Sequence, residues 1–140
     1  MIKKIIFIFF ILTFTVYASP PNYFDEAKNL YEKKNFEKSK FLFQRNIVFN
    51  PKDHLSYLYL AKIFKNEQNK EEHEKNLNTT LLLDPKNEEA LYMLIEVELE
   101  KSNFDRVTEL NETFSLICVN ICEKKNIISK KLKDLKINNE

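Results

Sequence analysis

Two cysteines stand four residues apart near the end of the chain, Cys118 and Cys122 in "CVNIC". Such a pair can exchange disulfides, contribute half of a metal site, or close a small staple. The C-x-x-C spacing of a thiol oxidoreductase is absent, and so is the βαβ pattern that surrounds it. The two histidines, His54 and His73, do not stand at H-E-x-x-H spacing, and "EEHE" at 71–74 lacks the further ligands a zinc site needs. Glu96, Glu98 and Glu100 fall on different faces of a helix, so they do not form an acid–base pair. No Ser or Thr has a plausible His partner. The sequence contains no glycine, which excludes a phosphate-cradling loop, a G-x-G-x-x-G turn and a G-x-S-x-G nucleophile elbow. The expectation is therefore a chain that is not an enzyme, with no catalytic residues, no metal, no cofactor and no small-molecule substrate.

The 140 residues suit one domain. With 22 basic and 21 acidic residues the net charge is +1, which gives no electrostatic reason to expect nucleic acid. Residues 1 to 19 read "MIKKIIFIFFILTFTVYAS". Lys3 and Lys4 precede an uncharged run from Ile5 to Val16, and Val16-Tyr17-Ala18 supplies small or aliphatic residues before a cleavage point. Residues 1–18 thus have the form of a secretory signal peptide. The expected location is outside the cytoplasm, in the periplasm if the source is bacterial, and the compartment is then oxidising. The alternative is an uncleaved N-terminal helix that tethers the chain to a membrane.

The elements that place these residues follow from an internal period. Pro51 and Pro85 are 34 residues apart. Tyr23, Tyr57 and Leu91 keep the same interval, as do Ala27, Ala61 and Ile95, and Asn35, Asn69 and Asn103. Within a unit, Tyr23, Ala27, Leu30 and Tyr31, then Phe36, Phe43, Ile47 and Val48, recur at helical spacing on either side of a polar break. Each unit therefore reads as two amphipathic helices. The asparagines of the break are expected to take left-handed backbone angles, and the prolines to preset the entry to the next helix. Residues 121–137 add one more helix, with Ile121, Ile128, Leu132 and Leu135 on one stripe and lysines elsewhere, suited to cover the open end of a repeat stack. That basic face reads as solvated surface.

The period and the matches Tyr23, Ala27, Leu30, Phe36, Ser39, Phe43 and Pro51, then Tyr57, Leu60, Ala61, Phe64, Leu77 and Pro85, make residues 20–118 resemble the tetratricopeptide repeat family. The third unit departs from the pattern at Ile95, Glu98, Asn111 and Val119. The resemblance implies an all-α solenoid over residues 20–137, of three helix pairs (about 20–53, 54–87 and 88–120) and a capping helix (about 121–137). It also implies protein binding, with a partner segment held in a concave groove lined by the first helix of each unit. Carried over by position, the groove residues are Phe24, Lys28 and Tyr31; Leu55, Leu58, Lys62 and Lys65; and Glu89, Tyr92, Glu96 and Leu99. Lysines beside apolar residues suit a protein or peptide segment with some negative charge. The chaperone-tail clamp of some relatives is not expected, since Phe24, Lys28, Glu89 and Met93 occupy its places. The function expected is a scaffold or interaction module of the cell envelope. The register puts Cys118 in the turn that follows the third unit, where a break in the helix would let Cys118 and Cys122 form a structural disulfide. A thiol-active envelope protein using the same pair, and a membrane-tethered assembly subunit, are the alternatives.

Overall fold

The computed structural model describes residues 22 to 137, so the expected signal peptide lies outside the described residues. Seven α-helices follow one another: α1 Tyr23–Glu32, α2 Phe36–Phe49, α3 His54–Asn66, α4 Lys70–Leu83, α5 Glu88–Glu100, α6 Phe104–Ile117 and α7 Lys124–Ile137. The first six form three antiparallel pairs, each packed on the next, and α7 closes the stack against α5 and α6.

A chain without glycine must end its helices by other means. α1 closes with the Asn35 N–H on the Leu30 carbonyl at 2.9 Å and the Lys34 N–H on the Tyr31 carbonyl at 2.9 Å. This is a Schellman motif, repeated at Gln68 and Asn69 after α3 and at Ser102 and Asn103 after α5. The left-handed residue is Lys34, Gln68 or Ser102, with φ of 59°, 58° and 58°. That corrects the sequence expectation: the asparagines stand one place later, at φ near −85°, as N-caps. Asn35 and Asn69 accept the third helical N–H of α2 and α4. An asparagine oxygen satisfies an otherwise orphaned donor there, and the left-handed site falls to the residue before it. Pro51 and Pro85 do not open α3 and α5 but stand three residues before His54 and Glu88. They are the second residues of turns closed by the Asp53 N–H on the Asn50 carbonyl and the Asn87 N–H on the Asp84 carbonyl. The fixed proline φ suits that position, and Asp53 and Asn87 cap α3 and α5.

Two apolar clusters fill the interior. The first is aromatic, with Phe43 wholly buried, its ring stacked on Tyr59 at 5.0 Å and edge-on to Phe24 at 5.7 Å. The second runs from Leu58 and Leu77 through Leu91, Leu94 and Ile95 to Phe114 and Ile128. Ile121, Leu132 and Leu135 pack against it, so the cap stripe meets the end of the stack. α7 begins at Lys124 rather than near 121, because 118–123 form the loop that joins the cap to α6.

One polar contact repeats with the period. Ser39 Oγ donates to the Ala27 carbonyl at 2.8 Å, and His73, 34 residues on, places Nδ1 2.8 Å from the Ala61 carbonyl. Both side chains are buried. Burial pushes the His73 pKa below its ordinary value, and Lys65 adds to this, outweighing the Ala61 hydrogen bond, Glu100 and Glu74. The ring is therefore neutral and Nδ1–H donates. An unfolded chain takes up the proton more readily, so this contribution is complete above the ordinary histidine range and fades as pH falls through it. From about pH 7.5 to about pH 5.5, across the unperturbed value near 6.5, thermal stability should fall more for the wild type than for His73→Ser. Equal losses in a melting series would contradict this.

Candidate partner-binding groove

The first helices of the three pairs and the start of the cap enclose a concavity of about 880 Å³. Tyr31 comes from α1, Lys62 and Lys65 from α3, Glu89, Tyr92 and Met93 from α5, Lys86 from the turn before α5, Ile121 from the loop after α6 and Lys124 from the first position of α7. Of the residues expected by position, Tyr31, Lys62, Lys65, Glu89 and Tyr92 line this space. Glu96 borders the two shallower pockets next to it. Lys28 and Leu55 are exposed, and Phe24 is half-buried in the aromatic cluster.

Two expected groove residues are interior residues instead. Leu58 and Leu99 are 4% and 7% exposed and belong to the second apolar cluster. Side-chain length explains the difference. Phe24, Leu58 and Tyr92 share one repeat position, and Tyr31, Lys65 and Leu99 share another. Tyr31, Lys65 and Tyr92 reach past the helix packing into the groove, whereas the leucines end inside it and Phe24 turns into the aromatic cluster.

The groove wall is charge-paired. Lys62 meets Glu89 at 2.8 Å and Lys65 meets Glu96 at 3.0 Å, both bridging α3 to α5. Tyr92 O–H donates to Glu96 at 3.0 Å, and Lys131 of the cap approaches the same carboxylate at 3.8 Å. Burial, then Glu96, pushes the Tyr92 phenol up to about 12, so it stays a neutral donor. Burial also raises Glu96, but the hydrogen bonds from Lys65 and Tyr92 and the charges of Lys65 and Lys131 outweigh it and hold the carboxyl below its ordinary value. Burial raises the Tyr31 and Tyr59 phenols as well, with Glu89 acting in the same direction. Lys62 lies over the Tyr59 ring at 4.9 Å and Lys124 over the Tyr92 ring at 5.4 Å. The surface therefore offers aromatic faces framed by ion pairs in which Lys62 and Lys65 are both engaged, while Lys86 lines the same space without a carboxylate partner among the described residues. Such partly exposed pairs contribute little individually, so a partner can replace one of their members at small cost.

One wall of the groove was not legible in sequence. The Glu88 carboxylate accepts the backbone N–H of Asn120 at 2.9 Å and of Ile121 at 3.1 Å, and the Asn120 side-chain amide at 3.2 Å. Burial pushes Glu88 up, and these N–H donors, with that of Val119, more than reverse it, so its pKa lies below the ordinary value. The loop it holds is the one between Cys118 and Cys122. α6 stops at Ile117, Cys118 is extended (φ −62°, ψ 137°), and the two cysteines stand at disulfide distance with Cα atoms 5.3 Å apart.

The other candidate chemistry separates. Glu98 accepts from Asn103 at 2.9 Å, Glu100 pairs with Lys70 at 3.0 Å and Glu96 with Lys65, each on its own face. His54 faces Asp84 at 3.5 Å, remote in register from His73. Among the described residues no three His, Cys, Asp or Glu side chains are grouped to hold a metal.

No protein-family model matches the chain, and no curated protein is significantly similar to it in sequence. Solved structures are similar in fold. The type III secretion chaperone SycD of Yersinia enterocolitica, in complex with a peptide of the translocator YopD, is 18% identical with a TM-score of 0.69, covering 84% of this chain and 92% of that one. The TPR domain of Sgt2 from Aspergillus fumigatus is 14% identical with a TM-score of 0.70, over 88% and 87%. The second TPR domain of human RPAP3, in complex with an HSP70 peptide, is 19% identical with a TM-score of 0.64, over 80% and 90%. At these identities the likeness establishes the fold.

Proposed function

From the tetratricopeptide repeat fold as premise, we propose that the chain is an exported, non-enzymatic binding module that holds a protein segment in its concave groove. The observation that carries this reading is the groove itself: about 880 Å³, walled by Tyr31 and Tyr92, by the pair Lys62–Glu89 and by Lys65, whose partner Glu96 stands beside it. Rigid aromatic rings beside donors and acceptors suit an extended or helical segment with apolar anchors and mixed charge. SycD and RPAP3 were each solved with a bound peptide, which supports the same use here. The form of residues 1–18 supports a site of action in the cell envelope, the periplasm in a bacterium. Oxidation of Cys118 and Cys122 there would make the pair a clip on the cap and not a reactive dithiol.

Affinity capture from the producing cell's envelope tests the reading. Lys65→Glu with Glu89→Lys alters two half-exposed groove side chains, 49% and 51% accessible, and should leave the helical content unchanged. The wild type is expected to retain a discrete partner that this variant loses. Identical sets of captured proteins would refute groove binding.

A further inference from the structure

The antiparallel pairs give the solenoid two edges of opposite character. One edge collects the turns within units: Lys33, Lys34 and Asn35, then Glu67, Gln68 and Asn69, then Lys101, Ser102 and Asn103, all polar and exposed. The other collects the starts of α1, α3 and α5 and the ends of α2, α4 and α6. Six of the eight large apolar residues exposed among the described residues lie on this second edge: Val48, Phe49, Leu55, Leu82, Leu116 and Val119. Val48, Leu82 and Leu116 are one repeat position, 76%, 81% and 88% exposed. Their helical spacing reads as core in the sequence, yet each side chain points away from it.

Charge accompanies the row. Lys52 follows Val48 and Lys86 follows Leu82, each by four residues, and neither pairs with a carboxylate among the described residues. Four of the nearby acids are turned to internal partners. Asp53 accepts from Asn46 and Ser56, both at 2.7 Å, Asp84 faces His54, Glu88 takes the clip loop, and Glu89 pairs with Lys62. Asp25 and Glu26 in the first turn of α1, Glu112 one turn before Leu116, and Glu123 in the loop after α6 are exposed. Tyr23 stacks on Phe49 at 5.6 Å, and Tyr57 O–H donates to the Pro51 carbonyl at 3.3 Å, which sets amphipathic rings along the same edge.

We propose that this edge docks on an anionic lipid surface, the row Val48, Leu82 and Leu116 entering the headgroup region and Lys52 and Lys86 meeting phosphate. Apolar knobs spaced by one repeat, two of the three followed by a lysine, need no shape-complementary partner. The shallow depression beside Leu82 reaches neither Val48 nor Leu116. A lipid interface accepts apolar side chains and nearby cations without shape matching. No helix among the described residues is long and apolar enough to cross a membrane, and Lys86 stands where this edge meets the rim of the groove.

Vesicle flotation tests this without any protein partner, so its failure is distinct from failure of groove binding. The full chain and the form that cells release are each mixed with phosphatidylcholine vesicles and with vesicles that also contain phosphatidylglycerol. The released form should float with the anionic vesicles only, and added salt should weaken it. Lys52→Gln with Lys86→Gln should weaken binding roughly thirtyfold, on a loss of five- to sixfold per lysine at an anionic surface. Val48→Asn, Leu82→Asn and Leu116→Asn together should abolish it, while Lys33→Gln with Lys34→Gln on the opposite edge changes nothing. These exposed positions should leave the circular dichroism unchanged; if the triple variant unfolds, the lysine pair decides. No binding by the released form, binding that ignores lipid charge, or binding that survives both edge variants overturns the proposal. So does loss of a captured protein from the edge variants in the absence of vesicle binding.

Discussion

Leu58→Glu is expected to unfold the chain. Leu58 is 4% exposed and lies in one apolar cluster with Ala61, Leu77 and Leu91, at the junction of the second and third units. Truncating a leucine in such a place costs about 2–5 kcal/mol. The glutamate would add the cost of a carboxylate with no partner in an apolar interior, several kcal/mol more unless it protonates. The sum, of order 5 kcal/mol or more, is comparable to the whole stability of a small domain, about 5–15 kcal/mol. Thermal unfolding followed by circular dichroism should show a loss of roughly 15 °C or no transition at all. Leu55→Glu, three residues earlier and 37% exposed, should stay within about 0.5 kcal/mol of the wild type. If both variants melt alike, the placement of Leu58 in the core is wrong.

The second large effect concerns the cap. Replacing both Cys118 and Cys122 by Ser, or reducing the pair, should lower stability by about 2 kcal/mol, the chain-entropy contribution of so short a loop. The loss should be local. Amide exchange in α7 and at the end of α6 should accelerate well before that in α3 and α4, because the freed loop no longer presents the Asn120 and Ile121 N–H groups to Glu88. Ile121 and Lys124 also line the groove, so reduction should weaken partner capture as well. The same latch has a pH signature. The folded pKa of Glu88 is depressed by the loop N–H donors, so its contribution is full above the ordinary carboxyl value of 4.5 and is lost as pH falls through the lower, folded value. Glu96 acts in the same direction. Acid should therefore loosen the cap, and Glu88→Gln should make it less sensitive to pH. Uniform exchange rates along the chain after reduction would contradict the clip.

The helix pairs were legible because packing must repeat when the unit repeats. Ala27 and Ala61 are both fully buried at one position, and Ile95 follows them in the degenerate third unit. Ser39 and His73 make the same carbonyl contact with different chemistry. Register shows which face of a helix a residue occupies, but not how far its side chain reaches. Leu58 and Leu99 therefore looked like groove residues beside Tyr92 and Lys65. Spacing also could not show that Val48, Leu82 and Leu116 lie outside the core, since apolar residues near helix ends keep helical periodicity whether covered or not. Glu88 gave no signal at all: its partners stand 32 and 33 residues away in sequence, in a loop whose shape depends on where α6 stops. The turns show a similar limit. Asparagine tolerates both a left-handed site and an N-cap, and the unmet N–H groups at the start of the next helix decide between them.

Site-specific photocrosslinking in the producing cell tests the central claim most directly. With a photoreactive phenylalanine at position 65 or 89 on the groove wall, irradiation should join the chain to one discrete protein. The same residue at position 44, exposed on α2 outside the groove, should give no adduct. If 65 and 89 give none, or the same products arise from 44, the groove is not where this chain binds.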